Sequence, residues 1–121
     1  MQDQELVLKT AKILDEKKAK DIIALDVRKL TVICDYMVIA SGRNTNQVRA
    51  LADEVDDLLA QEGMQLRRSE GMNEARWIVL DYGTLLVHLF HQDDRAYYNL
   101  ERLWEDGTNR IALTLEGEAE E

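Results

Sequence analysis

Residues 70–90 read E-G-M-N-E-A-R-W-I-V-L-D-Y-G-T-L-L-V-H-L-F, and this stretch decides the fold. It contains two apolar runs, residues 77–80 and 85–90, separated by a glycine-containing turn over residues 81–84. Two such runs joined by a short turn predict a β-hairpin. Because both runs are almost continuously apolar, we expect both strands to lie inside a sheet that is covered on both faces.

The chain before this hairpin predicts two helices and two strands. Apolar residues recur at helical spacing over residues 4–17, which predicts the first helix. Residues 20–27 and 32–40 are rich in apolar side chains, many of them β-branched, and predict two strands joined as a hairpin. Asn44 is followed three residues later by a glutamine, as in a capping box, and predicts a long helix that ends near residue 62.

The chain around and after the central hairpin adds a strand and a last helix. Residues 64–69 alternate in polarity and predict a half-exposed strand. Asp93 or Asp94 is expected to cap a final helix that ends at Gly107, and residues 111–115 alternate in a way that permits a short edge strand. We expect the large side chains of the final helix to pack on the body of the protein: Tyr97, Tyr98, Leu100, Leu103 and Trp104.

These elements define the fold class and the domain organisation. The order α-β-β-α-β-β-β-α predicts a single α/β domain with a mixed five-stranded sheet and packed helices. We assign residues 1–106 to this domain. Residues 107–121 form an acidic C-terminal extension, which we expect to be partly disordered.

The formal net charge of the 121-residue chain is −9. Residues 106–121 hold one basic and five acidic side chains, a charge of −4, which leaves −5 for the rest of the chain. Because nucleic-acid affinity depends on neutralising phosphates, we do not expect direct sequence-specific binding to nucleic acid. An acidic body suits a basic protein partner, although the composition leaves open that the charge only keeps the protein soluble.

Other features of the composition point to a cytoplasmic protein. The chain has no run of 18 apolar residues, so we expect no membrane span, and its first residues lack the pattern of a secretory signal. A single cysteine, Cys34, cannot form an internal disulfide, and its place in an apolar strand indicates packing rather than catalysis.

No residue set in the sequence predicts catalysis, a metal site or a cofactor. His88 and His91 are three residues apart, which on a strand directs their rings to opposite faces, so we expect His88 to be a buried or edge histidine bonded to a neighbour. The element order resembles nucleotidyltransferases, but the acidic cluster after Ser41 and Gly42 lies on a helix instead of a strand. A residual nucleotide-binding or transfer enzyme, with magnesium held by convergent carboxylates on neighbouring strands, stays open as an alternative: Asp26, Asp35 and Asp81.

Trp77, at the start of a strand, has two interpretations. A large aromatic side chain there can belong to the core, or it can be an exposed anchor for a partner, since Trp and Tyr dominate interface hot spots. Tyr36 and Tyr82 lie near the start of a strand and at the hairpin turn, and both favour the second interpretation. A dimerisation module with an unrelated partner is the remaining alternative.

Six fragments together resemble the ribosomal silencing factor family, also called RsfS or Iojap. They are D-I-I-A-L-D-V (21–27), D-Y-M-V-I-A-S-G (35–42), Q-V-R-A-L-A-D (47–53), E-G-x-x-x-A-x-W-I-V-L-D-Y-G (70–83), V-H-L-F (87–90) and L-E-R-L-W (100–104). The resemblance implies a nucleotidyltransferase-like fold without the catalytic carboxylates and without enzymatic activity. It also implies binding to the large ribosomal subunit through ribosomal protein L-fourteen, which would block subunit association and repress translation when nutrients are scarce. Family members are expected to form homodimers when free.

The resemblance also supplies candidate partner-binding residues. It does not separate the residues that touch the partner from those that hold the fold. We expect Gly83 to support the turn, and Ser41 and Gly42 to support the bend from strand to helix. The sequence departs from the family pattern at Thr84, where an acidic residue is usual after D-Y-G. The candidates are Glu70, Gly71, Trp77, Asp81, Tyr82, His88, Asp35, Tyr36 and Ser41.

Overall fold

A computed structural model describes residues 2–115 and gives one mixed sheet with helices on both faces. The order of elements agrees with the prediction, except that the last helix is divided in two. Within residues 2–115, no helix combines the length and the apolar character that a membrane span requires. The elements are α1 Gln2–Glu16, β1 Lys20–Asp26, β2 Tyr36–Gly42, α2 Thr45–Gln61, β3 Arg68–Glu70, β4 Trp77–Asp81, β5 Leu85–His91, α3 Gln92–Tyr98 and α4 Leu100–Trp104.

The five strands lie in the order β1-β2-β5-β4-β3. Strand β5 is central and pairs parallel with β2 and antiparallel with β4, while β1–β2 and β3–β4 are antiparallel pairs. The predicted hairpins β1–β2 and β4–β5 are therefore both confirmed. Helix α2 forms part of the connection that a parallel pair such as β2–β5 needs.

The two strands of the central hairpin differ in burial. Strand β5 is buried at five of its seven positions, as predicted for a strand covered on both faces. In β4 only Ile78 and Leu80 are buried, and the three residues that alternate with them are half-buried. The prediction that β4 is covered on both faces was therefore wrong, because one face of the sheet is open at this strand.

Helices α1 and α2 cover one face of the sheet, which we call the closed face. Buried side chains such as Val7, Leu14 and Leu51 of the helices pack there against Val87 and Leu89 of β5. Asn44 caps α2, since its side-chain oxygen accepts a hydrogen bond of 2.8 Å from the amide of Gln47. The capping residue predicted from the sequence is thus confirmed.

Two boundaries differ from the sequence prediction. Strand β2 begins at Tyr36 and not at Val32, because residues 28–33 form turns that leave the side chains of Val32 and Ile33 exposed. The last helix is capped by His91 and not by an aspartate, as the His91 Nδ1 atom accepts a 3.1 Å hydrogen bond from the Asp93 amide.

The division between α3 and α4 lies at Asn99, which adopts a left-handed conformation with φ +49° and so ends α3. The expected packing of the large side chains of the last helix is only partly found, since Tyr97 and Leu103 are 80% and 74% exposed. Leu100 is buried as expected, and Trp104 is half-buried.

The segment after α4 runs beside β1 without forming a regular strand. Leu25 and Arg110 form an isolated antiparallel bridge, and the Ile111 amide donates to the Ala24 carbonyl at 2.8 Å. The alternation over residues 111–115 therefore reflects contact with the core, where Leu115 is buried, and not an edge strand. The predicted disorder after residue 115 falls outside the described residues.

Candidate functional site

The second face of the sheet, opposite α1 and α2, holds the candidate site. Met37, Ile39 and Phe90 are buried in it together with Leu100 of α4. Helices α3 and α4 cover only part of it, so Trp77 and Leu86 pack against this core while staying half-buried. We use "second face" below for this side of the sheet.

Trp77 lies at the centre of an aromatic cluster on the second face. Its ring stacks on Phe90 with centroids 5.0 Å apart and contacts Tyr98 of α3 at 4.9 Å. Tyr97 extends the cluster outward by an edge contact of 5.1 Å with Tyr98. Trp77 therefore lies between the core and the surface, since it packs against the buried cluster while staying half-buried.

His88 contacts Trp77 through a hydrogen bond and through its ring. The indole Nε1–H donates to Nδ1 of His88 at 3.1 Å, and the two ring centroids are 6.0 Å apart. His88 is 6% exposed, and burial lowers its pKa to about 4, so the imidazole is neutral at pH 7. The expectation that His88 is a buried or edge histidine bonded to a neighbour is confirmed, and the structure shows the buried case.

The loop before Trp77 is fixed by glycine and arginine. Gly71 has φ +86°, and a Cβ atom there would lie 2.1 Å from the carbonyl oxygen of Trp77, so only glycine fits. Arg49 of α2 donates to the carbonyl oxygens of Met72 and Asn73 in this loop. The entry into β4, and with it the position of Trp77, is thereby set by two other parts of the chain.

Arg76 attaches the same loop to α3. Its guanidinium donates to both carboxylate oxygens of Asp94, at 2.6 and 3.1 Å, and the Arg76 carbonyl accepts from the His91 amide at 2.9 Å. The pKa of Asp94 is lowered by this pairing. Glu70, just before the loop, is exposed and pairs with Arg68 at 3.3 Å, which leaves it accessible at the edge of the sheet.

The hairpin turn orders its polar groups internally. Asp81 accepts a 2.8 Å hydrogen bond from the Gly83 amide. Gly83 has φ +89°, which agrees with its predicted role in the turn. Tyr82 is buried, and its hydroxyl donates to Asp56 of α2 at 2.7 Å. Tyr82 therefore holds the turn against the closed face and is not accessible to a partner in this structure.

Thr84 makes a polar contact at the hairpin turn. Its hydroxyl donates to the Asp35 carboxylate at 3.0 Å and links the turn to the segment before β2. Asp35 itself is half-buried, and its amide donates to the Thr84 carbonyl at 2.9 Å. A threonine donor at this position stabilises the Asp35 carboxylate, where a second carboxylate would repel it.

Two further candidates are buried. Tyr36 is 5% exposed and packs in the closed face. Ser41 is fully buried and accepts a 2.8 Å hydrogen bond from Arg95, whose guanidinium also binds the Asp21 carbonyl at 2.7 Å and the Glu101 carboxylate at 3.2 Å. The contacts of Arg95 with Ser41 and Asp21 hold α3 on the sheet and so support the aromatic cluster indirectly, whereas Tyr36 belongs to the core of the closed face.

The residues proposed for an alternative magnesium site do not form one. Asp26 is bound to the Arg28 guanidinium at 2.6 and 2.9 Å, and this hydrogen bonding lowers its pKa. Among residues 2–115, no group of three or more acidic, histidine or cysteine side chains could hold a metal ion. Burial, with Asp35 and Asp81 nearby, raises the pKa of Cys34 to about 11, which disfavours the reactive thiolate.

The sequence prediction missed Tyr97, Tyr98 and Leu103 as surface residues. It counted them as helix packing because their spacing fits one face of a continuous helix. The αL conformation of Asn99 breaks that helix and leaves them exposed by 80%, 47% and 74%. Asn is one of the few residues that tolerates this conformation, so Asn99 was the available signal.

The whole chain, residues 1–121, matches the family model described as ribosomal silencing factor during starvation. The chain belongs to the ribosomal silencing factor family. It is 44% identical to the ribosomal silencing factor RsfS of Bacillus subtilis (strain 168) over 105 residues, 86% of this chain and 89% of the relative. The family resemblance of the six sequence fragments is thus confirmed.

Solved structures agree with this membership of the ribosomal silencing factor family. A crystal structure of a Bacillus halodurans protein has a TM-score of 0.79 at 37% identity and covers 91% of this chain and 99% of that one. A Chromobacterium violaceum protein has a TM-score of 0.81 at 34% identity, with 90% and 92% covered. The predicted α/β fold with a mixed five-stranded sheet is confirmed.

Proposed function

We propose that this protein binds the large ribosomal subunit through ribosomal protein L-fourteen and sterically blocks association with the small subunit. It would thereby repress translation when nutrients are scarce, as a cytoplasmic regulator without enzymatic activity. Family membership supports the silencing role, and the names of the relatives describe regulators. The observation that carries the proposal is the half-open aromatic cluster around Trp77 on the second face of the sheet.

The cluster has the properties of a docking surface. Trp77 and Tyr98 are large aromatic side chains that are fixed by ring contacts yet remain partly accessible. Rigid aromatic side chains give much contact area at low cost in side-chain entropy, and they dominate binding energy at interfaces. Tyr97 and Leu103 add exposed apolar area on the adjoining helices.

Acidic groups border this apolar centre. Glu70 is exposed on β3, and Asp81 is half-buried at the far end of β4 from Trp77. In the register of the sheet, Glu70 pairs with Val79 and therefore lies on the same face as Trp77 and Asp81. An apolar centre with an acidic border suits a basic protein, and the net charge of −9 would assist the encounter.

We propose that some candidate residues contact the partner and that others support the docking surface. Trp77, Glu70 and Asp81 are the direct contacts. His88 lies on the same face, where it is hydrogen-bonded to Trp77. Asp35 borders the turn from the segment before β2. The remaining candidates support the surface from inside the fold: Gly71, Tyr82, Tyr36 and Ser41.

Co-sedimentation with purified large subunits tests the binding step. The protein is expected in the ribosomal pellet at low salt, and increasing salt is expected to weaken binding because part of the attraction is electrostatic. A protein that stays in the supernatant at low salt would contradict the proposal. A binding titration with isolated L-fourteen then tests whether this ribosomal protein is the receptor.

A subunit-association assay tests the steric step. Light scattering follows the joining of small and large subunits, and excess protein is expected to reduce the amplitude when it is added to large subunits first. Unchanged joining with large subunits that carry the bound protein would refute a steric block. We also propose that the free protein is a homodimer, which sedimentation equilibrium without ribosomes checks.

A further inference from the structure

Only one of the two ring nitrogen atoms of His88 has a hydrogen-bond partner among the described residues. The Trp77 indole can only donate, so the His88 Nδ1 atom that it reaches at 3.1 Å is an acceptor and carries no proton. Burial keeps the ring neutral, since it lowers the pKa of His88 to about 4. The proton of the neutral imidazole must then be on Nε2, which makes Nε2–H a hydrogen-bond donor.

This donor is buried and has no hydrogen-bond partner among the described residues. Buried polar groups are almost always hydrogen-bonded, and one without a partner costs about 1–3 kcal/mol. An apolar side chain at this position would avoid that cost, but it would leave the indole N–H of Trp77 without its acceptor. The Nε2–H of His88 is therefore a donor that the free protein holds ready and does not use.

The position of His88 in the sheet shows what could reach it. Across the ladder it pairs with Val79 of β4, and Leu86 precedes it by two residues on the same face of β5. Val79, Leu86 and Trp77 are all half-buried, so the neighbours of His88 on this side of the sheet border solvent.

We propose that the Nε2–H of His88 donates a hydrogen bond to an oxygen atom that the bound protein brings to the second face. This inference rests on the proposed function, because it assigns a role within the same docking surface. Glu70 and Asp81 lie on that face and would repel a carboxylate, so the acceptor is a neutral oxygen such as a main-chain carbonyl. Side chains over the imidazole shift when the partner docks.

Two substitutions separate the two nitrogens of His88. In His88→Asn the amide oxygen stands near the former Nδ1 position and can still accept from Trp77, while nothing replaces Nε2. In His88→Gln the amide nitrogen reaches the former Nε2 position as a donor. Binding of both variants and of the wild type to purified large subunits is measured by quantitative co-sedimentation, with thermal unfolding as the check on folding.

We expect His88→Asn to weaken binding by about tenfold and His88→Gln to stay within about threefold of the wild type. If His88→Asn binds as tightly as the wild type, the Nε2–H makes no contact and the proposal is overturned. Equal losses in both variants would assign His88 to the positioning of Trp77 alone and also overturn it. Failure of the wild type to bind would instead refute the proposed function.

A measurement on the wild-type chain covers the case in which His88→Asn does not fold. Nitrogen-15 NMR of the imidazole is expected to show the Nε2–H tautomer in the free protein. Addition of saturating L-fourteen should move the Nε2 proton resonance downfield. An Nε2 resonance that does not move in the saturated complex would overturn the proposal.

Discussion

The two faces of the sheet are built from the same strands, yet helices cover them to different extents. On the closed face, α1 and α2 cover Val87 and Leu89 of β5 completely. On the second face, α3 and α4 cover Phe90 but leave Leu86 half-buried. Because strand side chains alternate between faces, β5 supplies fully buried side chains to one face and partly exposed side chains to the other. The difference teaches that one sheet can carry a fully covered core on one face and, under the proposed function, a docking surface on the other.

The turn and loop residues connect the two faces. Tyr82 points its hydroxyl to Asp56 of α2, and Arg49 of α2 holds the loop that leads into Trp77. The closed face therefore fixes both ends of β4, the strand that presents the aromatic cluster. A change on the closed face should act on folding first, and a change on the second face should act on binding first.

Paired leucine truncations on β5 should show the largest difference. We expect Leu89→Ala, on the closed face, to lower the free energy of unfolding by about 3 kcal/mol, because it leaves a cavity in a fully covered core. Leu86→Ala, half-buried on the second face, should cost about 1 kcal/mol. Urea unfolding of both variants measures the two values, and equal losses would contradict the division between faces.

The buried imidazole of His88 should make stability depend on pH. Its pKa is about 4 in the folded protein against a usual 6.5, so between these values the unfolded chain binds more protons than the folded one. The unfolding free energy is therefore at its full value above pH 6.5 as far as His88 is concerned. It decreases by about 3 kcal/mol in all as the pH falls towards 4. Urea unfolding from pH 7 to 4 measures it.

His88→Gln is the control for this pH dependence, because glutamine does not titrate. As the pH falls through this window, the unfolding free energy of the wild type should decrease relative to that of the variant. Parallel pH profiles for the two proteins would show that His88 is not the group responsible.

Two glycines allow a test of the loop that carries Trp77. Gly71 and Gly63 have nearly equal φ angles, +86° and +87°, but only at Gly71 would a Cβ atom collide with backbone. Gly63→Ala should cost about 1 kcal/mol of stability from the backbone conformation alone, and Gly71→Ala about 2 kcal/mol or more. Gly71→Ala should also weaken large-subunit binding, since it displaces Trp77, whereas Gly63→Ala should bind normally.

Much of the fold could be predicted because it depends on local pattern. The apolar runs around residues 81–84 specify the central hairpin, and Asn44 specifies where α2 begins. The covering of each face could not be predicted from such patterns, because it depends on which helix packs where. For that reason β4 was expected to be covered on both faces, since residues 77–80 are all apolar although only Ile78 and Leu80 are buried.

The candidate site was predicted in part. Trp77 and His88 were both named as candidates, and His88 was expected to be a buried or edge histidine bonded to a neighbour, of which the structure shows the buried case. Their hydrogen bond depends on pairing across the ladder, which a sequence alone does not specify. The exposed tyrosines were missed because a single left-handed residue, Asn99, changes which way the last helix faces.

The most direct test of a second-face docking surface compares two apolar side chains that reach solvent on opposite sides of the sheet. Trp77→Ala removes the centre of the aromatic cluster, and Leu8→Ala removes a 42% exposed side chain from α1, which covers the closed face. Quantitative co-sedimentation with large subunits, on variants shown to be folded, should give a loss of about 2 kcal/mol for Trp77→Ala and no change for Leu8→Ala. Wild-type affinity in the Trp77→Ala variant would contradict the assignment of this face.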